Sequence, residues 1–109
     1  MATSYKVLGQ SAPSATTATT LYTVPSVTEA VISTIVVCNR AASAATYRIS
    51  VRPDGASQAN QHYIAYDATV SANDSTALTL GITLNAADVI TVYASTADLS
   101  FNAFGSEIV

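Results

Sequence analysis

Charge is what this chain most lacks. Only 10% of its 109 residues are Asp, Glu, Lys or Arg, against roughly 25% in an ordinary globular domain. There is one Lys, one His, one Cys and no Trp. Each shortage removes a class of function. Four basic residues against seven acidic ones give no electrostatic grip on a phosphate backbone, so no nucleic-acid partner is expected. One His and one Cys cannot supply a His/Cys zinc site. No D-x-D-x-D run offers the clustered oxygens of a calcium loop. Cys38 has no partner for an intramolecular disulfide and lies in the apolar run Ile35-Val36-Val37-Cys38, where the plain expectation is a small buried thiol. No run of 18 apolar residues predicts a transmembrane helix, and residues 1–6 lead into no apolar segment, so neither a membrane partner nor a cleaved signal is expected.

Straight-chain helix formers are also scarce, with six Leu, two Glu and one Lys. What is abundant instead is Ala, Thr, Ser, Val and Ile, which make up 66 of the 109 residues. Thr, Val, Ile and Tyr suit a pleated, half-buried surface. The composition predicts an all-β domain. A surface that is mostly Thr, Ser, Ala and Asn has few charges to desolvate at a contact, the first sign of an assembly component.

Patterning agrees. Residues 1–20 contain the large-residue-free run Ser-Ala-Pro-Ser-Ala-Thr-Thr-Ala-Thr-Thr at 11–20. They read as an extended N-terminal arm, with Tyr5-Lys6-Val7-Leu8 as a short strand or docking peptide. Residues 21–109 read as the folded domain. Strands are predicted over 21–24, 29–39, 45–52, 62–66, 76–84, 89–95 and from 99 onward, separated by turns at Pro25-Ser26, Pro53-Asp54-Gly55, Asn73-Asp74, Asn85 to Asp88 and Thr96 to Asp98. Residues 45–52 alternate with Tyr47, Ile49 and Val51 inward and Arg48, Ser50 and Arg52 outward. In 76–84, Leu78, Leu80, Ile82 and Leu84 are expected inward. Residues 29–39 are apolar on both parities, which predicts cover on both faces, the outer one by another subunit. After Ala103 a parity slip is expected, from a bulge at Ala103-Phe104 or a bend near Gly105. The expected fold is an antiparallel β-sandwich of about seven or eight strands, jelly-roll or immunoglobulin-like.

Few residues offer chemistry. His62 is the sole imidazole, and no G-x-S-x-G elbow accompanies it, so it reads as a hydrogen-bonded strand histidine. The five Asp fall at strand ends and turns, where Asp caps the backbone. No catalytic residue, metal ligand or cofactor is assigned, and no enzymatic activity is expected. Arg40, Arg48 and Arg52 are the whole guanidinium inventory, suited to carboxylates at a contact or to intramolecular pairing. Tyr22, Tyr63, Tyr66 and Tyr93 are candidates for a partly exposed binding face, whereas Tyr47, Phe101 and Phe104 are expected in the core. The interface candidates are therefore Arg40, Arg48, Arg52, Tyr22, Tyr63 and Tyr66.

The segments Leu-Tyr-Thr-Val-Pro at 21–25, Val-Ile-Ser-Thr-Ile-Val-Val-Cys-Asn-Arg at 31–40 and Thr-Tyr-Arg-Ile-Ser-Val-Arg-Pro at 46–53 resemble small virion structural proteins of tailed bacteriophages, including cyanophages. So do His-Tyr-Ile-Ala-Tyr-Asp at 62–67, the run from Asn73 to Leu84, Asp-Val-Ile-Thr-Val-Tyr-Ala-Ser at 88–95 and the run from Leu99 to Ile108. The resemblance brings no functional residue with it. It implies a location in the virion, partners among capsid or tail proteins, and a homo-oligomer, a trimer among its possible orders. It implies a head decoration or cement protein. A tail, neck or baseplate accessory protein is the close alternative, and a receptor- or carbohydrate-binding module of a tail fibre a more distant one.

Overall fold

The computed structural model describes residues 2–109 and is all-β. Eight strands form: β1 (Thr3–Ser11), β2 (Thr19–Thr23), β3 (Glu29–Asn39), β4 (Ala45–Arg52), β5 (Tyr63–Val70), β6 (Ser75–Leu84), β7 (Val89–Ala94) and β8 (Leu99–Ile108). They build two four-stranded antiparallel sheets, in the orders β1-β8-β3-β6 and β2-β7-β4-β5. Every connection except β4 to β5 crosses between the sheets, and each sheet interleaves strands from both halves of the chain. This is jelly-roll connectivity, which decides between the two expected sandwich topologies. The chain ends meet, with Ala2 and Val109 exchanging two backbone hydrogen bonds of 2.9 and 2.8 Å.

The core lies between the sheets. Ile32, Ile35 and Val37 of β3 and Leu99, Phe101 and Ala103 of β8 meet Tyr47 and Ile49 of β4 and Ile90, Val92 and Ala94 of β7. Tyr47 and Phe101 meet edge to face across the gap, with ring centroids 6.2 Å apart. Burying each such side chain stabilises the fold by roughly 1.5–3 kcal/mol before entropy.

Several sequence expectations change. The segment expected as an arm is extended, but Thr3–Ser11 lies in a sheet as β1, hydrogen-bonded along β8, and the last residues before 21 belong to β2. An edge strand whose residues are mostly exposed carries no regular apolar face to mark it. Met1 lies outside the described residues. In β3 the inward set is Ala30, Ile32, Ile35 and Val37, because Ser33 is an extra residue where the register against β8 shifts. In β6, Leu80 is 50% exposed rather than inward, because the register against β3 shifts beside Gly81, whose φ is +64°. No parity slip occurs in β8: the bulges fall on its neighbours, at Leu8 of β1 and Ser33 of β3. Phe104 therefore points outward, 37% exposed, and is not a core residue. Gly105 lets β3 run close alongside, since a Cβ there would collide with the Val31 carbonyl.

Candidate functional site

Two broad sheet faces look outward, and they differ in chemistry. The outer face of β2-β7-β4-β5 gathers most of the polar inventory around Arg48. Tyr93 of β7 lies directly across from Arg48. On the other side β5 bulges, so that Tyr66 and Asp67 together oppose the one residue Arg48. Asp67 takes a left-handed φ of 50°, a conformation Asp tolerates better than most residues. One guanidinium thus meets a ring on either side and a carboxylate. Its Cζ lies 4.3 Å from the Tyr66 ring centroid and 4.4 Å from that of Tyr93. Its Nε donates to Asp67 Oδ1 at 2.8 Å. The bond to Asp67 holds the guanidinium above its ordinary pKa, so it stays charged. Tyr63 extends the row, edge to face with Tyr66 at 4.9 Å between centroids. The result is a surface platform of three tyrosines and an internally paired Arg. It offers ring faces and spare N–H donors for contact.

The structure brings together Arg48, Tyr63, Tyr66 and Tyr93 but not the rest of the candidate set. Arg52 lies four residues from Arg48 along β4, roughly 13 Å away. There it donates to Thr91 Oγ1 at 3.1 Å and to the carbonyl of Ala56 at 2.9 Å. It ties down the loop of residues 53–62, which folds back over β4 and β7. Ser50, on the outward parity, is buried beneath that loop and donates to Gln58 Oε1 at 2.7 Å. Arg40 sits in the connection after β3 and donates to the Ala97 carbonyl at 3.0 Å. Tyr22 is a correction: it is buried, 7% exposed. A register shift at Leu21 turns both Leu21 and Tyr22 inward, which alternation alone does not foresee.

The Tyr22 hydroxyl donates to Glu107 Oε2 at 2.5 Å, and Lys6 Nζ lies 2.6 Å from Glu107 Oε1. This triad joins β2, β8 and β1 at one end of the sandwich. The ion pair with Lys6, then the bond from Tyr22, hold the Glu107 carboxyl below its ordinary pKa. Burial first, then Glu107, push the Tyr22 hydroxyl well above 10. The triad is a structural clamp.

His62, Asp88 and Asp74 serve the backbone. His62 closes a 3-10 turn rather than opening a strand, and its Nδ1 accepts from the Ala59 N–H at 3.1 Å. Asp88 accepts from the backbone N–H groups of Asp54 and Asn85, both at 2.8 Å. Asp74 accepts from the Ser75 N–H at 2.8 Å. Cys38 is half-buried on the outer side of β3, not in the core. Among the described residues no three His, Cys, Asp or Glu side chains come together as a metal site.

The outer face of β1-β8-β3-β6 is unlike its counterpart. Its cross-strand rows follow from the registers. One row is Tyr5, Ser106, Val31 and Thr83; the next is Val7, Phe104, Thr34 and Thr79; the third is Gln10, Asn102, Val36 and Ala77. None of these twelve residues is charged. Glu29, beside Ile108 at one end, is the only charged residue on this face among the described pairs. Tyr5 is 85% exposed and Val7 47%. A shallow hollow of about 410 Å3 opens here, lined by Tyr5, Val31 and Phe104 and by Lys6, whose half-exposed ammonium is paired with Glu107.

No protein-family model matches the chain, no curated protein matches it, and no solved structure matches it.

Proposed function

We propose that this chain is a non-enzymatic structural protein of a bacteriophage virion, a head decoration or cement protein that stabilises the capsid through oligomeric protein–protein contacts. The observation that carries the proposal is the outer face of β1-β8-β3-β6, whose three cross-strand rows carry no charge, on a small domain in which His62, Asp74 and Asp88 hold its own backbone. Interface cores are depleted in charge and enriched in aromatic residues, as this face is. Many copies of a small domain, each adding a modest contact, multiply their effect on a lattice. The resemblance of the strand segments to virion proteins of tailed phages supports the same reading. Quantitative mass spectrometry of purified particles tests it. Hundreds of copies per particle are expected for a head protein. Six to a few dozen copies would move it to the tail, neck or baseplate, and its absence from particles would overturn the proposal.

The row Tyr63, Tyr66, Arg48 and Tyr93 favours one second reading, a receptor- or carbohydrate-binding module of a tail fibre. Binding on a glycan array that is lost in Tyr66→Ala would establish it.

A further inference from the structure

We infer that the outer face of β1-β8-β3-β6 pairs with the same face of a second copy, forming a two-fold dimer whose contact includes Tyr5, Val7, Val31 and Phe104. The inference rests on the structural-protein reading and names the occupant of its surface. Three observations select a second copy. The first is charge. A partner bringing Lys, Arg, Asp or Glu to this face would bury them opposite Val, Thr and Phe with no counter-charge, at a cost of several kcal/mol each. A second copy brings the same uncharged cross-strand rows, and the Lys6 that lines the hollow already has its counter-charge in Glu107. The one carboxylate, Glu29, lies in the end row of the face. In an antiparallel two-fold pairing the two Glu29 side chains stand at opposite ends, beyond the Debye length of about 8–10 Å.

The second observation is size. Four strands about 4.8 Å apart, and about nine residues rising roughly 3.3 Å each, give a face of about 600 Å2. Two such faces bury about 1,200 Å2, the lower edge of specific interfaces. That predicts a weak, concentration-dependent dimer. The third observation is shape. Twisted sheets stack face to face with strands within about 30° of each other. A two-fold contact is self-complementary, so a side chain and the hollow that receives it occur on both partners. Tyr5 stands 85% exposed beside the hollow of about 410 Å3 that Phe104 walls, and the hollow has room for one ring. The opposite outer face is partly covered by the chain's own loop of residues 53–62, whereas this one carries no such loop.

Sedimentation equilibrium of the purified chain, from about 10 μM to 1 mM, tests the inference. The mass is expected to climb from one chain toward two across that range. Tyr5→Lys and Phe104→Lys should each weaken association at least tenfold, while Thr69→Lys, exposed on β5 of the other sheet, should leave it unchanged. Tyr5→Lys changes the most exposed of these side chains, so it reports even if Phe104→Lys does not fold. A single-chain mass throughout would overturn the inference. So would association unaffected by Tyr5→Lys, or weakened equally by Thr69→Lys. A monomeric chain that is nonetheless abundant in particles would overturn the self-pairing and leave the structural-protein reading standing.

Discussion

Asn39 shows how much one side chain holds here. It is 1% exposed at the end of β3. Its Nδ2 donates to the carbonyls of Ser43, Ser71 and Val70 at 2.8, 3.2 and 3.3 Å, and its Oδ1 accepts from the Ala41 N–H at 3.0 Å. One amide thus satisfies the connection after β3 and the turn between β5 and β6. Asn39→Ala is expected to cost about 2–4 kcal/mol, since buried backbone groups lose their partners. Asn39→Asp, which turns an oxygen on those carbonyls, should cost at least as much. Urea denaturation of the two variants checks both. Glu107 makes a second prediction at this scale. Its pKa is lowered in the folded state, so it lends stability above its unfolded value near 4.5. That stability drains away as the pH falls through the folded value. Glu107→Gln should therefore cost about 1.5–3 kcal/mol at pH 7, the range for hydrogen bonds to a charged group. The gap from wild type should narrow as the pH drops below 4.5. Thermal melts at pH 7, 5 and 3 measure it. A gap that held constant with pH would assign the loss to packing instead.

At the scale of the element, β1 separates two expectations. An arm could be removed without touching the fold. β1 cannot, because it pairs along β8 and carries Lys6 to Glu107. Deleting residues 1–11 is expected to lower stability by more than about 3 kcal/mol, or about 10 °C or more in Tm, read by circular dichroism. Most strands were legible because Val, Ile and Tyr alternate in them and Pro, Asn, Asp and Gly punctuate them. The alternation of β4 and β7 survives intact, with Arg48 opposite Tyr93 on one face and Ile49 opposite Val92 on the other. Legibility failed at the bulges. One extra residue at Ser33, Leu21 or Leu80 turns side chains over, and a run such as Ser-Thr-Ile-Val-Val reads equally well in either register. The Arg48 platform was half legible: Arg48, Tyr63 and Tyr66 stand out by type. Its pairing with Asp67 depends on a bulge in β5 that no local signal marks. The Tyr22–Glu107–Lys6 clamp was not legible, because it joins residues 85 apart in sequence and lies on inward positions that pattern alone assigns to apolar groups.

At the scale of the whole molecule, the sandwich divides its labour between two outer faces, and salt distinguishes them. The chain carries a net charge of only -3, so repulsion between copies is weak. Contact through the Val7 and Phe104 face buries no unpaired charge in those rows, since the Lys6 that lines the hollow is held by Glu107. Raising NaCl from about 0.05 to 0.5 M shortens the Debye length from more than 10 Å to a few ångströms. Association through that face should change by less than about threefold over this range. Sulfate, which strengthens apolar burial by exclusion from the surface, should tighten it. Contact through Arg48 and Asp67 would behave oppositely, because their exposed charges are screened by salt. Sedimentation at the two NaCl concentrations reads the difference directly. A tenfold loss of association at high salt would move the contact from the uncharged sheet to the platform of Tyr63, Tyr66 and Arg48.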